Sequence, residues 1–125
     1  MNKETQNIIY AICNWVKAYN ASTKETPREL YFKTKYSDYH ELITEVEIEK
    51  YLQENLSLID LWEIFSMDKR WSPSWYFTRS DSGKNVVGYF HHDDKMKKQM
   101  SFNHASKACA FFIKMEMEEL RKMNG

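Results

Sequence analysis

Glycine is scarce in this chain, three residues in 125, and proline is scarcer at two. So few turn-forming residues exclude an all-β sandwich with many tight turns and argue against a solenoid. They also leave no glycine-rich loop to cradle a phosphate. Net charge is missing as well: 18 basic residues meet 18 acidic ones. A neutral chain lacks the overall basic excess of a nucleic-acid binder. There is no long apolar run either. The opening MNKETQNIIYAICNWVKAYN spaces its apolar residues on one face, so neither a secretory leader nor a membrane span is expected, and the cytoplasm is the expected compartment. The two cysteines, Cys13 and Cys109, lie in apolar helical patterns. They read as free buried thiols of a reducing compartment, with a long-range disulfide as the alternative.

What the chain does have is aromatic mass: 4 Trp, 8 Tyr and 7 Phe. That much apolar surface rules out wholesale disorder, and the length suits a single domain over residues 1–125 with one core. Ile8, Ile9, Ile12, Trp15, Val16 and Tyr19 recur at three- and four-residue steps, predicting one amphipathic helix from about Lys3 to Ala21. Pro27 is placed to open a short second helix carrying Leu30, Tyr31 and Phe32. Lys33 to Tyr39 reads as a connection. From Glu41 to Met67 the spacing is helical, and Asn55-Leu-Ser57 makes two helices as good a reading as one; Ile43-Thr-Glu-Val46 leaves room for a strand.

After Trp71-Ser-Pro73 the period changes to two. Strands are expected over Ser74–Arg79, Asn85–His92 and Lys97–Phe102, with turns at Asp81-Ser-Gly83-Lys84 and near Asp93-Asp94-Lys95. A last helix starts after Asn103, its expected N-cap, with Ala105, Ala108, Cys109, Phe112, Ile113 and Leu120 on one face. The expected fold is therefore α+β: N-terminal helices, a three-stranded antiparallel meander, and a C-terminal helix packed on one face of the sheet.

Reactive chemistry is thin. His91-His92-Asp93-Asp94 has metal-ligand residue types, but adjacent histidines on a strand point to opposite faces, and adding His104 or His40 matches no common zinc spacing. A solvated hairpin tip is the plainer reading. No serine sits in a glycine-flanked elbow, and the cysteines lie on apolar faces, so the chain reads as neither an enzyme nor a carrier of metal or cofactor. Lys69, Arg70, Arg79, Lys84, Lys95, Lys97, Lys98 and Lys107, interleaved with Trp75, Tyr76, Tyr89 and Phe90, are compatible with a stacking sheet for single-stranded nucleic acid. Core-facing aromatics with lysines on an exposed edge are the favoured alternative.

The acidic residues are more unevenly placed. Between Tyr36 and Asp68 the chain carries Asp38, Glu41, Glu45, Glu47, Glu49, Glu54, Asp60, Glu63 and Asp68 against Lys50 alone. Such segregation creates a local negative field on a neutral molecule, suited to steering a basic partner. Internal pairing with the lysines of the later half explains the pattern equally well. The expected partner-binding set is Asp38, Glu41, Glu45, Glu47, Glu49, Glu54, Asp60 and Glu63.

Four segments carry a family likeness: Pro73-Ser-Trp-Tyr-Phe77, Gly83 to Gly88-Tyr-Phe90, Ser101-Phe-Asn103 and Ala108-Cys-Ala-Phe-Phe-Ile113. Together this pattern, about 45 residues, resembles small bacterial immunity proteins of polymorphic and contact-dependent toxin systems. The resemblance implies a cytoplasmic inhibitor that works by occlusion and brings no catalytic residue with it. It also implies a cognate toxin domain as partner, a nuclease with a cationic groove and by preference a ribonuclease of the EndoU-like kind. No membrane partner is expected, and the oligomeric state stays open.

Overall fold

The computed structural model describes residues 3–22, 24–68 and 73–124. Seven α-helices and three strands follow one another as α1 (Lys3–Cys13), α2 (Trp15–Ala21), α3 (Pro27–Lys33), α4 (Tyr36–Tyr39), α5 (Glu45–Gln53), α6 (Ser57–Asp68), β1 (Ser74–Arg79), β2 (Asn85–Phe90), β3 (Lys98–Phe102) and α7 (Ala105–Asn124). This is the expected α+β arrangement. Lys69, Arg70 and Trp71, which entered the sequence reading, lie outside the described residues.

The single N-terminal helix predicted over Lys3–Ala21 is divided at Asn14. There the Lys17 amide bonds the Asn14 carbonyl at 3.0 Å, three residues back instead of four. The Cys13 carbonyl is thereby freed and accepts the Trp62 indole N–H at 2.9 Å. A tertiary hydrogen bond thus replaces a helical one. The Asn14 side-chain amide holds the bend, donating to the Tyr10 carbonyl and the Tyr51 hydroxyl, both at 2.9 Å.

Local capping sets the next elements. Thr26 accepts from the Glu29 amide at 3.1 Å, with Pro27 at the first turn of α3. Lys35, left-handed at φ 62°, turns the chain into α4, a helix in what reads as a connection. A 3-10 turn over His40–Leu42 follows. Thr44 then caps α5 through the Glu47 amide at 3.3 Å, which settles Ile43–Val46 as a helix entry and not a strand. α5 and α6 are separate helices: the Asn55 side chain donates back to the Tyr51 carbonyl at 2.9 Å while its own carbonyl accepts from Leu58.

The sheet has the order β1-β2-β3, antiparallel throughout, with Trp75 opposite Tyr89 and Val87 opposite Met100. Gly83, at φ 86°, makes the first turn. β2 ends at Phe90, two residues short of expectation. β1 and β2 direct Trp75, Phe77 and Val87 to the core, where α7 meets them: Trp75 packs edge-on to Phe111 and Phe77 lies 6.0 Å from Phe112. On the other face Tyr76 crosses Gly88 so closely that a Cβ there would fall 2.3 Å from the tyrosine hydroxyl.

The outer border of β1 is sealed by α6. Ser66 Oγ accepts the Phe77 amide at 2.7 Å and a Glu63 carboxylate oxygen accepts the Arg79 amide at 2.8 Å. Among the described residues β3 has no such cover, and Lys98 to Ser101 are exposed.

Trp62 is the centre of the core. It stacks on Trp15 at 5.9 Å and meets Phe65 and Phe112 edge-on. On α7, Ala108, Cys109, Phe112 and Ile113 are fully buried, as their spacing predicts. Its first hydrogen bond runs from the Ala108 amide to the His104 carbonyl, which puts the helix boundary at His104 and not at Asn103. Cys13 and Cys109 are free and buried, and burial pushes both thiols well up. No described helix is long and apolar enough to cross a membrane.

Candidate partner-binding surface

The expected acidic residues do not form one patch, because α5 and α6 turn to different neighbours. α5 lies on α7 and α1, whereas α6 lies along β1 and against α2 and α7. The carboxylates therefore divide.

Asp60 and Glu63, on α6, are consumed by Arg79. The Arg79 guanidinium reaches Asp60 Oδ1 at 2.6 Å and Glu63 Oε1 at 2.7 Å, and its Nε donates to the same Glu63 oxygen at 3.0 Å. Burial works against the guanidinium's charge, but the two carboxylates outweigh it and raise its pKa. Half-buried Glu63 thus serves β1 as an edge cap and Arg79 as a counter-ion. Arg79 in turn is withdrawn from any basic surface. Half-buried Glu49 accepts from Ser106 Oγ at 3.3 Å and joins α5 to the start of α7.

Asp38, Glu41, Glu45 and Glu54 are exposed, Glu47 is half-buried, and no ion pair reaches these five among the described residues. Three of them fall in one short stretch with two exposed apolar side chains: Asp38, Glu41, Leu42, Glu45 and Val46. Leu42 is 59% exposed and Val46 71%. Buried Tyr36 and Ile43 fasten this stretch to the protein from beneath.

The stretch is also held from α7. Lys114 Nζ donates to the His40 carbonyl at 2.8 Å and the Ile43 carbonyl at 2.7 Å, and sits 4.9 Å from the Tyr36 ring centre. Burial lowers its pKa, and the charges of Glu118 and Glu45 partly restore it. One turn on, Glu118 accepts from the Tyr36 hydroxyl at 2.6 Å and from Arg121 at 2.8 and 3.1 Å. Burial would raise the Glu118 carboxyl, but Arg121 and Tyr36 overcome it and hold the group at about 2. The 38–46 surface is therefore rigidly mounted. Such a mount reduces the ordering cost of binding.

A second exposed apolar group lies on α6. Leu58, Ile59, Trp62 and Phe65 form its buried stripe, Ile64 and Met67 lie on the opposite side, 53% and 74% exposed, and Leu56, 64% exposed, immediately precedes the helix. Projection on a helical wheel separates the two sides, so this signal was available.

The basic half is less coherent. Trp75 and Phe77 face the core and half-buried Tyr89 packs on Trp75 at 5.2 Å, while Tyr76 is half-buried and Phe90 exposed, with Lys97 5.9 Å from the Phe90 ring centre. His91 and His92 do not point apart, because β2 has ended; their rings stack at 4.4 Å. Among the described residues no group of three or more His, Cys, Asp or Glu is placed to hold a metal ion. Comparison with protein families, curated proteins and solved structures finds no match to this chain.

Proposed function

We propose that the protein is an inhibitor of the immunity type, which occupies the cationic substrate groove of a cognate bacterial toxin domain, a nuclease and by preference a ribonuclease. One observation carries this reading: the exposed carboxylates of Asp38, Glu41 and Glu45 alternate with exposed Leu42 and Val46 on a stretch clamped by Lys114. Carboxylates steer a basic partner and exclude wrong ones, and the aliphatic side chains supply the area that holds it. Glu47 lies in the first turn of α5 beside the stretch, and Glu54 caps the far end of that helix. Asp60, Glu63 and Glu49 belong to the protein's own framework in this reading, so the inhibitory set is narrower than the acidic segment as a whole.

The test is whether the reading frame immediately upstream encodes a large secreted protein and whether this chain co-purifies with that protein's C-terminal domain, followed by association kinetics at low and high salt. Joint Glu41→Lys and Glu45→Lys substitution is expected to slow association about tenfold and flatten its salt dependence, with folding intact. Asp60→Asn is expected to leave the rate unchanged. Failure to form a complex, or an association rate indifferent to the double reversal, would overturn the proposal.

A further inference from the structure

Between the first turn of α3, the start of β1, the end of β2 and the last turns of α7 lies a groove of about 650 Å³. This is within the range of small-molecule sites, about 300–1,000 Å³. It lies apart from the acidic stretch and does not depend on the inhibitor reading. Its walls are mainly carbon, with Trp75, Tyr89, Leu120 and Met123 prominent. Two carboxylates one turn apart on α7, Glu116 and Glu119, lie on its wall. Glu116 is buried and Glu119 half-buried.

Three details give the groove a sign. Among the described residues, no hydrogen bond or ion pair reaches Glu119. Arg28 is the one cation on the wall among those residues, and its guanidinium lies 5.5 Å from the ring centre of Phe32, along α3. The Tyr89 hydroxyl is harder to ionise than usual, by burial first and then by the charge of Glu119. A smaller pocket of about 250 Å³ adjoins across Trp75 and Tyr89, where Lys98 and Lys122 line the wall with Glu119 and with Glu118, whose carboxylate Arg121 and Tyr36 already hold. The Trp75 and Tyr89 rings meet at 5.2 Å on the wall common to both. Aromatic faces and a carboxylate together favour an organic cation over a neutral or anionic guest.

We propose that this groove binds a small amphipathic organic cation, an aryl- or alkyl-ammonium whose apolar body lies against Trp75 and Tyr89 and whose charged head sits beside Glu119.

Three probes with one body and different heads test it: 4-phenylbutylamine, 4-phenylbutan-1-ol and 4-phenylbutyrate, titrated into the full chain by calorimetry and followed by the NMR signals of Trp75 and Tyr89. The amine is expected to bind saturably and shift both residues, the alcohol to bind about fivefold more weakly, and the carboxylate more weakly still. Glu119→Gln, at a half-buried position, should remove the amine's advantage and leave the alcohol unchanged. Tyr89→Leu should weaken both. Three probes of equal affinity would mean an unselective greasy cleft and overturn the proposal. So would no saturable amine binding, amine shifts confined to other residues, or a Glu119→Gln variant that binds amine as well as the parent.

Discussion

Tyr36→Phe tests whether the clamp between α4 and α7 is electrostatic in the way its geometry implies. The substitution keeps the buried ring and removes one hydroxyl, whose 2.6 Å hydrogen bond helps hold the Glu118 carboxyl at about 2 against an ordinary 4.5. A pKa displacement is worth about 1.4 kcal/mol per unit, so the whole effect has a ceiling of about 3.5 kcal/mol. The Glu118 and Arg121 side chains keep 19% and 32% of their exposure, and solvent screening reduces the figure to about 1.5–2 kcal/mol. Because the folded pKa is depressed, this stability is present above pH 4.5 and drains away as pH falls towards 2. Arg121 carries the larger share of that figure, so losing the Tyr36 hydroxyl is expected to cost about 0.5–1 kcal/mol at pH 7. The cost should shrink as pH falls below about 4 and be roughly halved by pH 2.5, as protonation of Glu118 in the variant and then in the parent removes the advantage. Urea unfolding of both proteins from pH 7 to 2.5, followed by tryptophan fluorescence, measures the difference directly, since other carboxylates titrate alike in both. A difference that is constant across that range would refute the reasoning, as would a variant as stable as the parent at pH 7.

Lys35→Gly should stabilise the chain by about 0.5–1 kcal/mol, since a left-handed lysine at φ 62° carries a steric cost that glycine avoids; the midpoint of chemical unfolding reads it, and a lowered midpoint counts against it. Gly88→Ala should destabilise by about 2 kcal/mol, because the new Cβ would fall 2.3 Å from the Tyr76 hydroxyl and 2.7 Å from the Lys98 carbonyl oxygen. Adding Tyr76→Ala should recover only part of that loss in thermal melts, since the Lys98 backbone cannot swing aside; full recovery would contradict the account.

Elements whose signal is local were legible from residue spacing. The alternation of β1 and the stripe on α7 survive because each strand or helix has one face turned to the core. The break at Asn14 was not legible, because its cause is the indole of Trp62, 49 positions away. The division of the acidic residues has the same origin. Nothing near Asp60 or Glu63 announces Arg79, which strand β1 delivers from 19 and 16 positions downstream. The exposed face of α6 was written in plain periodicity, yet a helix apolar on both sides hides which side is inside. His91 and His92 were expected to diverge on the premise that the strand continues through them; it stops at Phe90, and the rule of alternation stops with it.

The seal that α6 places on β1 has a consequence for how molecules of this protein can meet. A sheet with two free borders can recruit copies on both sides and lengthen into a fibre. Here Ser66 and Glu63 have already taken amides on one border, so strand addition can begin only beside β3. Two molecules joined there would use up each other's vacant rim and close the reaction at a pair.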